Sequence, residues 1–331
     1  MVDRMMIYNI IYALTAKDGR ESVLFGDCSP YAREAFARSL AGRGFPELWF
    51  EIPLAGDPWF DLHALTSCED VDSGMAFSDE VCGGLPEAFA WFAAQGDDVR
   101  QLALSWDTGS GDCSSPAVQL LVPGSDPRVT CGFLEAAGRS DAMSAYCAFR
   151  ERLPEGWFAC YAGVFPARPG HNLRVECIPD RDLQQAYADD GDLLAADFRR
   201  VGLQDLGDTL VSRCRELART PFQLEFQFDV DKQGCAGATV GASLRFASPP
   251  GDDSWHAFDP EGEAGTLMRR VEEWGLADDR WRLLADATFA KRVARGGQSK
   301  LLYCYPAFVK LRWRNARPLD AKAYLIAGAQ R

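Results

Sequence analysis

The chain has 331 residues, 47% of them hydrophobic and 25% charged, and a formal net charge of −13. This is the composition of an ordinary globular protein with enough apolar material for a large core, and so acidic a surface repels phosphate backbones and anionic headgroups, which argues against nucleic-acid and membrane partners. Eleven cysteines with no CxxC pair, and only His63, His171 and His256 as histidines, exclude a poly-histidine metal site and suit buried thiols in a reducing, cytoplasmic compartment.

The first residues, MVDRMMIYNIIYALTAKDGR, carry an apolar run about half as long as a bilayer span. No small-residue cleavage site follows it, so it reads as a first structural element rather than a leader. Ser29-Pro30 opens a predicted helix to about Ala41, with proline at its first position. Strands are predicted at Glu47–Ile52 and Phe60–Thr66, then a loop from Ser67 to Gly84 rich in Gly, Ser and Asp. Helix Leu85–Gln95 follows, with strands Gln101–Asp107 and Ala117–Val122 and a loop between them from Asp107 to Pro116. Helix Asp141–Leu153 places Met143, Tyr146, Phe149 and Leu153 at a period near 3.6; its strands are Trp157–Phe165 and Asn172–Cys177. The fourth unit has helices Asp182–Val201 and Asp208–Arg219 and strands Phe222–Val230 and Thr239–Phe246. After a loop from Ser248 to Gly262, the fifth has helices Thr266–Trp274 and Asp278–Ala294 and strands Leu301–Trp313 and Asp320–Ile326.

The pattern is five helix–strand–strand units and about ten strands, read as one α+β domain over residues 1–331. Period-2 alternation separates the faces of most strands. Phe222, Leu224, Phe226, Phe228 and Val230 oppose Gln223, Glu225, Gln227 and Asp229. Arg174 and Glu176 oppose Leu173 and Val175; Ser243 and Arg245 oppose Ala242 and Leu244; Lys310 and Arg312 oppose Val309 and Leu311; Asp320, Lys322 and Tyr324 oppose Ala321 and Ala323. In Glu47–Ile52 the two glutamates share a side with Trp49, and Trp157–Phe165 has no readable polar side. Helices cover the apolar faces. Closing the sheet into a barrel turns the polar faces into a common lumen and removes both edges; an open or split antiparallel sheet with helices on one face is the alternative.

Five consecutive units of helix plus antiparallel strand pair around a polar lumen resemble the aromatic prenyltransferase barrel, the ABBA fold. The resemblance is architectural and spans nearly the whole chain. It implies that an isoprenoid diphosphate and an aromatic acceptor meet inside the lumen, with cations on the diphosphate, tyrosines shielding the allylic cation, an acid directed at the acceptor, and magnesium in some members only. The predicted lumen face offers Arg174, Arg245, Lys310, Arg312 and Lys322 for the diphosphate, Tyr324 as the shield, and Glu51 or Asp107 as the acceptor-directed acid. Arginine gives bidentate phosphate contacts and lysine a point charge. No metal ligand set is assigned, and magnesium is the one cofactor the resemblance allows.

The acids weigh against this assignment. Asp107, Glu176, Glu225, Asp229 and Asp320 also point inward and equal the five cations in number, so the lumen could neutralise itself in salt bridges. His63, beside Asp61, reads as a structural hydrogen-bonding residue because no nucleophile is placed with it. Asp229, Asp231 and Gly234 lack the glutamate of a calcium loop. The leading functions are prenyl transfer to an aromatic acceptor and a non-catalytic lumen that binds a polar small molecule or peptide; an enzyme of another class on a similar scaffold, and an open sheet acting through its surface, stay open behind them.

Overall fold

The computed structural model describes residues 24, 47–66, 86–95, 99, 101–107, 116–121, 126–166, 173–245, 258–295 and 298–330. The expected N-terminal element, the helix opened by Ser29-Pro30, the loop from Ser67 to Gly84 and most of the other two expected loops lie outside these residues.

Ten strands close into one antiparallel barrel. They are β1 (Glu47–Pro53), β2 (Asp61–Thr66), β3 (Gln101–Trp106), β4 (Ala117–Leu121), β5 (Trp157–Val164), β6 (Leu173–Pro179), β7 (Gln223–Val230), β8 (Ala236–Arg245), β10 (Gln298–Arg314) and β11 (Arg317–Gln330). Sequence neighbours pair all the way round, β8 pairs with β10, and β11 returns to β1, which completes the ring. The remaining strand, β9 (Phe289–Arg295), pairs with the first part of β10, while β8 pairs with Phe308–Arg314 further along the same edge. Closure leaves no edge strand in the ring itself. This is the closed barrel expected from the alternating faces, and the open-sheet alternative falls.

The helices whose bounds fall among the described residues are α1 (Pro86–Ala93), α2 (Pro127–Ala136), α3 (Met143–Glu151), α4 (Arg181–Asp189), α5 (Gly191–Arg200), α6 (Gly207–Ala218) and α7 (Glu263–Glu273). Helix α2 has no counterpart in the sequence reading. Its start is a local signal: Asp126 accepts from the Arg128 backbone N–H, and proline occupies the first turn. The expected helix Asp182–Val201 is two helices. Asp190 leaves α4 in an extended conformation, and its carboxylate caps α5 through the N–H groups of Asp192 and Leu193. The expected helix Asp278–Ala294 is corrected more severely. A 3-10 turn over Asp279–Leu284 is followed by β9, so a helical composition yields to pairing with the long β10.

The apolar strand faces lie under the helices. Trp157 of β5 stacks on Phe226 of β7 at 5.2 Å, Phe198 of α5 meets Phe226 edge-on at 5.0 Å, and Phe149 of α3 lies 5.8 Å from Phe228. All these rings are buried, and burying each contributes about 1.5–3 kcal/mol. A separate buried cluster of Tyr305, Phe308, Tyr324 and Ile326, with Trp49 against it, belongs to the inside of the barrel.

Candidate active site

The lumen is a cavity of about 530 Å³. All the residues assigned to the diphosphate, the cation and the acceptor reach it: Glu51, Asp107, Arg174, Arg245, Lys310, Arg312, Lys322 and Tyr324 line its wall, as do Glu176 and Glu225, whereas Asp229 and Asp320 do not. Strand alternation places most of them, and β-bulges place others. A register shift between Ala159 and Tyr161 turns both Cys160 and Tyr161 inward, which explains why Trp157–Phe165 showed no polar side. A second shift between Pro306 and Phe308 turns both Tyr305 and Phe308 inward. One extra residue flips the phase of everything beyond it.

Four of the five cations hold carboxylates. Arg174 Nε donates to Asp229 Oδ1 at 2.8 Å and its guanidinium lies over the Phe165 ring. Arg245 Nε donates to Glu225 Oε1 at 3.4 Å. Arg312 grips Asp320 with two arms, one at 2.7 Å; Asp320 is half-buried at the rim. Lys322 Nζ sits 2.6 Å from Glu51 Oε1 and 3.4 Å from Asp61 Oδ2, and 4.6 Å from the Trp59 ring centroid. Thus the ion pairing weighed from the sequence is present. The wall carries five cations and five carboxylates, the latter Glu47, Glu51, Asp107, Glu176 and Glu225.

Lys310 is different. It is the cross-strand partner of Lys322, deeply buried, and donates to Tyr324 Oη at 3.3 Å. Among the described residues no carboxylate lies within ion-pair distance of it. Burial pulls its ammonium down to about 8, and Glu51 and Glu176 offset only part of this. Gly241 of β8, opposite Arg312 and diagonal to Lys310, lies against its stem: a Cβ there would meet Lys310 Cε at 3.1 Å, so the missing side chain makes room for the lysine.

The carboxyls divide by their surroundings. Burial pushes Glu51 up, but Lys322, the bond from His63 and Lys310 together outweigh it and hold Glu51 well below the usual range. Asp61 goes the other way, to about 6, through burial and then the neighbouring charge of Glu51. On the opposite wall burial and then Glu176 push Glu225 up to about 7, against the pull of Arg245. Two neighbouring carboxylates in a poorly solvated place cannot both stay charged cheaply.

Above Lys310 the wall is aromatic. Phe308 stacks on Tyr324 at 4.1 Å, and Trp49 meets Phe308 edge-on at 5.4 Å. Tyr324 also lies 5.9 Å from the ring of His63. His63 itself corrects the sequence reading. It is hydrogen-bonded as expected, to Glu51 at 3.1 Å from Nε2, but a hydroxyl does lie with it, that of Ser105 at 2.6 Å from Nδ1. Alternation puts His63 and Asp61 on one face, but the partner comes from the next strand, where the register sets Ser105 directly opposite His63. Only knowledge of that register could have exposed the link.

Among the described residues no helix is long and apolar enough to cross a membrane, and no group of three His, Cys, Asp or Glu side chains is arranged to hold a metal ion. No family model and no curated protein matches the chain. Solved structures do. A 5-dimethylallyl tryptophan synthase from Streptomyces coelicolor, in complex with DMASPP and Trp, aligns over 98% of this chain and 95% of its own at 12% identity, TM-score 0.50. Prenyltransferase PriB in its apo form aligns over 97% and 93% at 14% identity, TM-score 0.49. AnaPT from Neosartorya fischeri aligns over 100% and 92% at 9% identity, TM-score 0.47. The first of these, at a TM-score of 0.50 and 12% identity, shows a likeness of fold: this chain has the closed barrel architecture of that prenyl-transferring synthase.

Proposed function

We propose that the chain transfers an allylic isoprenoid from its diphosphate to an electron-rich aromatic acceptor inside the lumen. The supporting observation is Lys310, a buried lumen ammonium without a carboxylate partner among the described residues, set beside the aromatic wall of Tyr324 and Phe308. A buried cation held by a tyrosine hydroxyl is poised for an anion that the protein itself does not supply. Arg174 and Arg245 engage their carboxylates through Nε, and their terminal nitrogens add donors around the same anion. Arg312 and Lys322 complete the ring of positive charge on the last hairpin.

In this reading the diphosphate gains charge as the carbon–oxygen bond breaks, and Lys310 with the arginines stabilises that charge. The allylic cation is shielded from water by the faces of Tyr324, Phe308 and Trp49. Glu51, kept ionised by Lys322, orients the acceptor from β1, and Asp107 at the end of β3 is the second acid directed at it. The proton lost by the acceptor ring leaves to a lumen carboxylate. The described side chains suit a magnesium ion only where the diphosphate supplies most of its ligands.

The balance of five cations against five carboxylates favours a second reading, a non-catalytic lumen for a polar small molecule or peptide. Incubation with dimethylallyl diphosphate and tryptophan or another indole separates the two. Prenyl transfer gives an acceptor heavier by one isoprenyl unit and releases diphosphate, both visible by mass spectrometry and phosphate assay. Binding without release of diphosphate over a panel of indoles and phenols would overturn the catalytic reading and leave the second.

A further inference from the structure

We propose that Ser105 is an activated nucleophile, and that Ser105, His63 and Glu51 form a hydrolytic triad for a small carboxylic ester admitted to the lumen. The three residues come from adjacent strands β3, β2 and β1. Ser105 Oγ lies 2.6 Å from His63 Nδ1, and His63 Nε2 lies 3.1 Å from Glu51 Oε2. All three are buried from bulk solvent yet line the cavity. A hydroxyl bonded to an imidazole that is in turn oriented by a carboxylate is the arrangement by which serine nucleophiles are recognised on unrelated folds.

The bonding fixes the roles. Lys322 at 2.6 Å from Oε1 keeps the Glu51 carboxylate anchored, so Glu51 Oε2 accepts from His63 Nε2–H. Nδ1 then carries the lone pair and accepts from the Ser105 hydroxyl. The ring of His63 is braced by aromatic neighbours, Tyr324 at 5.9 Å and Trp49 at 6.5 Å. These faces and Phe308 form an apolar bed for the acyl or alcohol part of an ester. Two donors face the same cavity for the developing oxyanion: Lys310 Nζ, and the amide of Gln119 on β4, one pleat step from the position opposite Ser105. Among the described residues no hydrogen-bond partner holds the Gln119 amide.

The chemistry balances without a cofactor. Ser105 Oγ attacks the ester carbonyl carbon while its proton passes to His63 Nδ1. The carbon–oxygen bond to the alcohol breaks, and the alkoxide takes that proton and leaves as the alcohol. Water then attacks the acyl-serine with His63 as base, releasing the carboxylic acid and restoring the serine. None of this involves a diphosphate, so it stands or falls separately from prenyl transfer.

Two probes test it on the full-length chain: p-nitrophenyl acetate, followed by release of p-nitrophenol, and diisopropyl fluorophosphate, followed by peptide mass spectrometry. The expected result is diisopropylphosphorylation of Ser105, with fluoride as the leaving group, and ester turnover, both absent in Ser105→Ala, with His63→Gln slower by about 100-fold or more. Circular dichroism confirms folding of each variant; should one fail to fold, the other and the labelled site in the wild-type chain still decide. A folded wild-type chain that neither labels at Ser105 nor releases p-nitrophenol above the rate of buffer overturns the proposal. So does labelling whose rate is unchanged in His63→Gln, which would reduce the bonded string to a structural role.

Discussion

Replacing Lys322 with methionine removes the cation that holds two buried carboxyls. Its ammonium is 2.6 Å from Glu51 and 3.4 Å from Asp61, and the side chain is almost fully buried. At an effective dielectric constant of about 20 the two contacts amount to roughly 6 and 5 kcal/mol. Methionine also removes the ammonium's desolvation cost, several kcal/mol, and so the net loss falls to about 3–5 kcal/mol. The pH dependence carries its own sign. Glu51 has a folded pKa below the ordinary 4.5, so it stabilises the wild-type chain above that value and loses this contribution as pH falls. Without Lys322 its pKa moves above the unfolded value, and the variant gains stability as pH falls. Asp61, already at about 6, moves further in the same direction. Urea unfolding followed by tryptophan fluorescence should therefore give a gap between the two chains of about 3–5 kcal/mol at pH 7, narrowing by about 1–2 kcal/mol at pH 5. Adding Glu51→Gln to Lys322→Met should recover part of the loss. A gap under about 1 kcal/mol at pH 7, of the size of an exposed pair, or one that widens on acidification, would refute the reasoning.

Other outcomes follow from single contacts. Gly241→Ala sets a Cβ 3.1 Å from Lys310 Cε; it should weaken anion binding several-fold in titration calorimetry while unfolding stability changes by less than about 1 kcal/mol. Glu225 has a folded pKa raised to about 7, so its contribution to stability is present below 4.5 and lost as pH rises through 7. Glu225→Gln lacks that loss, and its melting temperature relative to the wild-type chain should rise between pH 5.5 and 8.5. Phe226→Ala opens a hole among Trp157, Phe198 and Phe228 and should cost about 3–5 kcal/mol in denaturant unfolding.

The polar and apolar faces of the strands were legible because each strand is half-covered by helices, and half-covered strands must alternate. That periodicity alone places Arg174, Arg245, Lys310, Arg312 and Lys322 in one lumen. It failed at Cys160–Tyr161 and at Tyr305–Phe308, where a bulge inserts a residue and no local signal marks it. It failed again at β9, where pairing with β10 overrides a composition that suits a helix. The two-residue turn at Asn315-Ala316, with both residues at positive φ, extends β10 and β11 beyond the expected ends because alanine hides what glycine would have announced. The ion pairs were foreseeable as a balance of charge but not as partners. Which acid meets which cation, and that Lys310 meets none among the described residues, depends on register and on stem length rather than on face.

The central claim is that the lumen is built to receive a diphosphate on Lys310. Titration calorimetry of dimethylallyl diphosphate into the wild-type chain and into Lys310→Met tests it directly. The account predicts binding below millimolar concentration to the wild-type chain, weakened about tenfold or more by loss of a charge-assisted contact. No binding to the folded wild-type chain at millimolar ligand, or equal binding to both chains, would contradict it.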